Sequence, residues 1–176
     1  MRINKILSIL AFLAFLPFYS LSKDVDFEAS DIKIIDNNKI IAFESKTRIH
    51  SKNITVESDK VEYEKKSNIL LFSGEVLLTD KTNKISIKSD EIVYNRNLDL
   101  ISTSGKTNIN FNNNYKIGSE ELFYDKRNQR IYSNSRVNME DNENNLYTFK
   151  DKFTFDLETE IIKSKKSFIL DNKDNK

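Results

Sequence analysis

Cysteine and tryptophan are absent from this chain, proline and histidine occur once each, and glycine three times in 176 residues. Without cysteine there is no disulfide and no thiol chemistry, so the fold must be held by burial of apolar surface. The single histidine, His50, cannot build a zinc site without a second histidine or a cysteine, and it gives a histidine-based triad only one possible member. It follows the apolar Ile49 and reads as a turn-edge residue. A glycine-rich phosphate loop is excluded as well, because Gly74 and Gly105 stand singly inside strand-like stretches. Charge is balanced, with 28 Lys and Arg against 27 Asp and Glu; such a chain lacks the basic field that nucleic-acid binding requires. The residues therefore point to no cofactor, no metal and no enzymatic site.

Long hydrophobic runs are missing too, apart from 16 residues between Ile6 and Leu21. That run falls short of the roughly 20 residues of a comfortable membrane span. With Arg2 and Lys5 near its start and small residues at Ser20 and Ser22, Met1–Ser22 reads as a cleaved secretory signal rather than a retained anchor. Its removal leaves 26 basic and 27 acidic residues. The remaining length is enough for one domain with a substantial core.

What the chain has in quantity is a repeat. Five copies of a strand–bend–strand unit superpose without gaps on Ala29, Ser58, Ser89, Ser119 and Lys150, which are 29, 31, 30 and 31 residues apart. Two residues before these anchors stand Phe27, Val56, Ile87, Ile117 and Thr148; three after them stand Ile32, Val61, Ile92, Leu122 and Phe153. Five after come Ile34, Tyr63, Tyr94, Tyr124 and Phe155, and twelve after come Ile41, Leu70, Ile101, Ile131 and Ile162. At eighteen the column reads Thr47, Val76, Thr107, Val137 and Phe168, and at twenty Ile49, Leu78, Ile109, Met139 and Leu170. Polar residues separate these columns, which is the period-two pattern of half-buried strands; no helical period is present after the opening segment. Polar turns such as Glu64–Asn68 join the two strands of a repeat, and longer ones such as Asp80–Lys84 lead to the next. The expected object is an antiparallel meander of roughly ten strands, each about ten residues long.

The columns at minus two and plus three have opposite parity, which a flat strand cannot place on one face. An extra residue at Ser58-Asp59, Ser89-Asp90 and Ser119-Glu120 restores the phase, as a β-bulge does. Sixteen residues after the anchors the second strand has its own weak point, at Ser45, Gly74, Gly105, Ser135 and Lys166. If plus five pairs with plus twelve, the two weak points face each other and the bends align into a crease. The fold class is then all-β, one long antiparallel sheet folded along its middle with the apolar columns inside, in a trough roughly 48 Å long at ~4.8 Å per strand.

Two features invite a chemical role. Asp59, Asp90, Glu120 and Asp151 recur one residue after their anchors, but at about 10 Å intervals along the stack they cannot share a metal, and they read as caps for the free N–H groups of the bend. Tyr63, Tyr94 and Tyr124 form a column that admits stacking on carbohydrate or single-stranded nucleic acid. It continues as Ile34 and Phe155, so the shared requirement is a large apolar body, in a core or in a lipid-lined wall. Periodicity leaves both a solid interior and a ligand-holding one open.

The unit Val56-x-Ser58-Asp59-x-Val61-x-Tyr63 followed by Ile69-Leu70-Leu71-Phe72-Ser73-Gly74-Glu75-Val76 resembles the OstA-like lipopolysaccharide-transport family. A second copy, Ile87-x-Ser89-Asp90-x-Ile92-x-Tyr94 leading to Ser104-Gly105-Lys106-Thr107, strengthens the likeness. Asp26-Phe27-Glu28-Ala29 resembles the usual start of the domain, and the likeness covers nearly all of residues 24–170. The family includes the periplasmic bridge protein (LptA), the N-terminal periplasmic domain of the outer-membrane translocon (LptD) and the anchored periplasmic domain of the inner-membrane component (LptC).

The resemblance implies an open β-jellyroll, or β-taco, over residues 23–170, with a polar turn or tail at 171–176. It implies a periplasmic protein of a Gram-negative-type envelope, whose apolar groove shields acyl chains as lipopolysaccharide passes from the inner to the outer membrane. The implied partners are lipopolysaccharide, other OstA-like domains docked head to tail through edge strands, and the transport components of both membranes. Directional movement would need energy from elsewhere, which the resemblance implies comes from the family's inner-membrane ATPase complex. Groove-lining candidates are Val56, Val61, Tyr63, Leu70, Leu78, Ile87, Ile92, Tyr94, Ile101, Ile109, Ile117, Leu122, Tyr124, Ile131, Met139, Phe153 and Phe155. The bend candidates are Ser58, Asp59, Gly74, Ser89, Asp90 and Gly105.

The last two repeats depart from the pattern, with Ser135 and Lys166 in place of glycine and Lys150-Asp151 in place of Ser-Asp. Asp171–Lys176 resembles the turns that precede earlier repeats, so either a longer subunit continues from it or the last strand offers an open edge. Lys163, Lys165 and Lys166 are expected to guard that edge, leaving the N-terminal edge with Phe27, Ile32 and Ile34 less protected. The competing reading is a structural β-repeat, such as a surface or adhesin module, with a solid core and no lipid ligand.

Overall fold

The computed structural model describes residues 26–29, 31–36, 39–51, 53–166 and 168–171. The Met1–Ser22 segment and the end of the tail, 172–176, lie outside the described residues. Within them the regular elements are strands: β1 (Asp26–Glu28), β2 (Asp31–Asp36), β3 (Lys39–Ser51), β4 (Ile54–Glu64), β5 (Ile69–Asp80), β6 (Ile85–Asn95), β7 (Leu100–Ser104) and β8 (Thr107–Phe111). There follow β9 (Tyr115–Ser119), β10 (Phe123–Asp125), β11 (Arg130–Ser133), β12 (Val137–Glu140), β13 (Leu146–Phe149), β14 (Phe153–Asp156), β15 (Ile162–Ser164) and β16 (Ile169–Asp171).

These segments are the ten strands of the meander. Strands β3 to β6 run through the bend unbroken, whereas each of the others is divided there into two short pieces, β1 and β2 being the first such pair. The expectation of uniform ten-residue strands is therefore corrected: only the four near the N-terminus have that length, and toward the C-terminus the bend interrupts the ladder altogether. All pairings are antiparallel, and they make two walls that share β3 to β6. One wall adds β1 on one side and β8, β9, β12, β13 and β16 on the other; the second adds β2, then β7, β10, β11, β14 and β15.

Register follows the predicted pairing of plus five with plus twelve. Ile40, Tyr63, Leu70, Tyr94, Ile101, Tyr124, Ile131, Phe155 and Ile162 form one continuous row across the second wall. In the first wall Phe27, Ile49, Val56, Leu78, Ile87, Ile109, Ile117, Met139, Tyr147 and Leu170 form the matching row. Each end of the chain carries one correction. In the first repeat Ile40 and Ala42 take the inward places, and Ile41 stands opposite Glu62 on the other face. In the fifth, Tyr147 replaces Thr148, whose hydroxyl turns outward to bond Asn138 Oδ1 at 3.0 Å. Both slips have one cause, an additional residue at the bend that shifts the phase by one and exchanges the faces.

The crease is a row of bulges. Pairing lapses between Glu57 and Lys60 on β4 and between Ser73 and Val76 on β5, at the Ser58-Asp59 and Gly74 positions. Gly74 and Gly105 have φ of +80° and +79°, a left-handed conformation in which a Cβ is strained. Space forbids one as well, since a Cβ on either would lie 2.3 Å from Oδ2 of Asp59 or Asp90. In the hairpin turns of the second to fifth repeats the tenth residue after the anchor is also left-handed, at Asn68, Asp99, Gln129 and Glu160, which closes short polar turns without glycine.

Candidate functional site

The inward candidates all meet in the space between the walls. Every one of them belongs to a single apolar cluster, buried except for Tyr63, which packs half-buried against it. The central columns are sealed, with Ile92, Ile101, Ile109 and Leu122 at 0 % exposure. At the ends the same inward columns open: Ile32 and Ile34 on β2 are 46 % and 67 % exposed, and Phe168 and Leu170 at the other end 49 % and 51 %. The lysines expected to guard the C-terminal edge stand around β15, while β16 beside them carries exposed Ile169 and Leu170.

Several interior residues lay outside the predicted columns. Phe72 is fully buried opposite Val61 and Ile92, yet its equivalents in later repeats are Thr103 and Ser133, so the column is hidden by its polar members. Carrying the pairing rule two residues further would have found it. Those hydroxyls have work at the crease: Thr103 Oγ1 donates to Leu122 O and accepts from Leu122 N–H, and Ser133 Oγ donates to Glu121 O.

The bend candidates lie where pairing lapses, with a division of labour that the sequence did not separate. The anchor serines reach over the bend, Ser58 Oγ donating to Lys60 O and Ser89 Oγ lying 2.9 Å from Glu91 O. Asp90 accepts the N–H of Lys106 at 2.8 Å across the bulge, the capping role predicted for it. In the last repeat, where Lys166 replaces glycine, its ammonium lies 3.3 Å from Asp151 Oδ2. The Lys152 N–H bond first, and the Lys166 ammonium second, hold the Asp151 carboxyl below its ordinary pKa. Ser45 lies among residues whose side chains are outside the description. His50 stands near the end of β3 with Glu28 3.7 Å away, next to the inward Ile49 but on the opposite face of the strand.

The free margins of the walls meet in a seam. Along the first wall the marginal row reads Ile54, Asp80, Ile85, Phe111, Tyr115. Phe111 and Tyr115 pack edge-on against Phe155 of the opposite wall, and at the N-terminal end Phe27 packs against Tyr63. Between these aromatic stations lies a polar one: Asp80, 0 % exposed, accepts from Tyr124 OH at 3.1 Å and stands 3.3 Å from the Lys126 ammonium, both on the other wall. Asn83 donates to the same Tyr124 oxygen at 2.7 Å. Burial first, and Asp80 second, push the Tyr124 phenol far above its ordinary pKa; burial and Asp99 do the same for Tyr94. Both remain neutral donors.

Two walls close on one continuous apolar interior whose inward rows become exposed at both ends, without any convergent set of nucleophile, base or metal ligands among the described residues. The sequence from 17 to 116 matches the model of the lipopolysaccharide-assembly family described as LptC-related, more than half of the chain. The chain belongs to that LptC-related family. Its work accordingly lies in lipopolysaccharide assembly and transport, and the family is not one of enzymes. The strands beyond residue 116 continue the same two walls past the matched segment. Among solved structures, the chain is similar to LptH from Pseudomonas aeruginosa, described as the LptA-homologous periplasmic component of the conserved lipopolysaccharide transport device. The identity is 8 % and the TM-score 0.34, over 85 % of this chain and 94 % of that one. No curated protein sequence matches the chain.

Proposed function

We propose that this LptC-related chain shields the acyl chains of lipopolysaccharide between its two walls in the periplasm, and hands the lipid on through its open ends. The observation that carries the reading is the exposure pattern of the inward rows, sealed in the centre and open at both termini of the sheet. A methylene kept from water is worth ~0.8 kcal/mol, so a multiply acylated lipid needs a long apolar channel to cross an aqueous space. In the closed state the two walls satisfy each other, and acyl chains entering between them exchange one apolar contact for another at small net cost. The ends expose apolar inward residues beside unpaired strand edges, which suits head-to-tail docking of a second domain of the same kind by strand addition. The Met1–Ser22 segment would direct export, and N-terminal sequencing of the exported chain distinguishes a cleaved leader from a retained anchor.

Photo-crosslinking tests the assignment. Probes at Ile101, Ile109 and Leu122 should capture lipopolysaccharide, and probes at the outward Lys88, Asn108 and Lys116 should not. Equal capture by both sets would remove the groove from the mechanism and favour a solid structural repeat.

A further inference from the structure

At the polar station of the seam lies a cleft of about 320 Å³. It is lined by Arg96, Lys126 and Arg127, by Asp80 and Asp99, and by Ile54 and Tyr94, which also belong to the apolar interior. Lys126 and Tyr124 come from one wall and their acceptor Asp80 from the other. Because the central interior is filled, a ligand held there has to part the walls, and parting them strips the ammonium and the phenol of their acceptor. A largely buried cation left without a partner is costly, so the ligand that opens the seam must bring a replacement.

We propose that this cleft seats the phosphorylated head of the acylated glycolipid, its phosphate replacing the Asp80 carboxylate as acceptor for Lys126 and Tyr124. The inference rests on the groove reading above. Phosphate carries more charge and more acceptor oxygens than a carboxylate, and Arg127, whose guanidinium is 3.8 Å from Asp99 at the exposed rim, adds a planar donor suited to it. Buried Arg96, held by Asn68 Oδ1 at 3.0 Å, adds positive field from behind. Asp80 and Asp99 make the closed cleft a poor seat for a free anion; acyl chains must first separate the walls.

The test compares the bis-phosphorylated, multiply acylated disaccharide of lipopolysaccharide with the same molecule after phosphatase treatment, and adds inorganic phosphate as a competitor. The wild-type chain should bind the phosphorylated form about tenfold more tightly, the scale of one charge-assisted contact. Lys126→Gln should bring the ratio close to one, because it removes the cation that only the phosphorylated form can satisfy once the seam is open; Lys126→Arg should keep it, and inorganic phosphate should not compete. Equal binding of both glycolipids by the wild type, an unchanged ratio in Lys126→Gln, an equal loss in the remote Lys116→Gln, or competition by inorganic phosphate would each overturn the proposal. If neither glycolipid binds the wild type, the groove reading falls as well.

Discussion

Replacing Gly105 with alanine tests the crease on which both walls depend. The residue sits at φ +79°, and a Cβ placed there would lie 2.3 Å from Asp90 Oδ2 and 2.9 Å from its Cβ and Cγ. Two costs follow. A left-handed backbone costs about 1–2 kcal/mol for a residue with a Cβ. In addition, Asp90 must swing aside and give up the N–H of Lys106, now 2.8 Å away, a bond exposed enough that water replaces part of it. The expected loss is about 2–3 kcal/mol, or roughly 5–10 °C in melting temperature for a domain of this size. Urea unfolding measures it directly, and a double-mutant cycle separates the parts: on an Asp90→Ala background Gly105→Ala should cost only the backbone share of about 1–2 kcal/mol. A loss below about 0.5 kcal/mol, the usual scale of an inert surface change, or an identical loss in both backgrounds, would show that the glycine and its acid do not form the crease. If the bend sets the wall spacing, lipid binding should fall along with stability.

Ile101→Asp places an unpaired charge at a fully buried inward position; stability should drop by about 3 kcal/mol or more and lipid capture should be lost, whereas Ser102→Asp on the outer face should do neither. Ile34→Asp or Leu170→Asp, at the exposed ends of the inward rows, should weaken concentration-dependent self-association in sedimentation while leaving the melting temperature within a degree or two of wild type. At acid pH the chain should lose stability through Asp125 and Asp141. Burial raises both carboxyls, but it is outweighed for Asp125 by bonds from Asn128 and Arg130 and for Asp141 by bonds from Asn145 and Tyr147, leaving both below their ordinary values. A folded pKa lower than the unfolded value of about 3.9 means that the unfolded chain binds more protons, so this stability is complete above about pH 5 and is lost as pH falls through 4 and below. Urea midpoints at several pH values check it, and Asp125→Asn should flatten the acid limb.

The repeat written in the amino-acid sequence determined the ten-strand meander, its pairing and the position of its crease, because side-chain parity and turn chemistry are local properties. Tyr94 and Ile101 could be placed side by side from their spacing alone, and the parity break at Ser89-Asp90 announced a bulge. The terminal repeats read less well: one additional residue at the bend exchanges faces, and nothing local says whether the chain takes it up before or after the bulge, so Ile41 and Thr148 were misplaced and Ile40 and Tyr147 overlooked. Phe72 was obscured because a column that alternates between phenylalanine and hydroxyl residues carries no uniform signal. Asp80 shows the deeper limit. In sequence it is a turn aspartate like Asp141, and each does hold its own turn; only the meeting of the two walls brings Tyr124 and Lys126, 44 and 46 residues away, onto one of them. Which wall residues touch across the seam depends on how a twisted sheet closes on itself, a sum over every strand between them, and that is decided by tertiary packing.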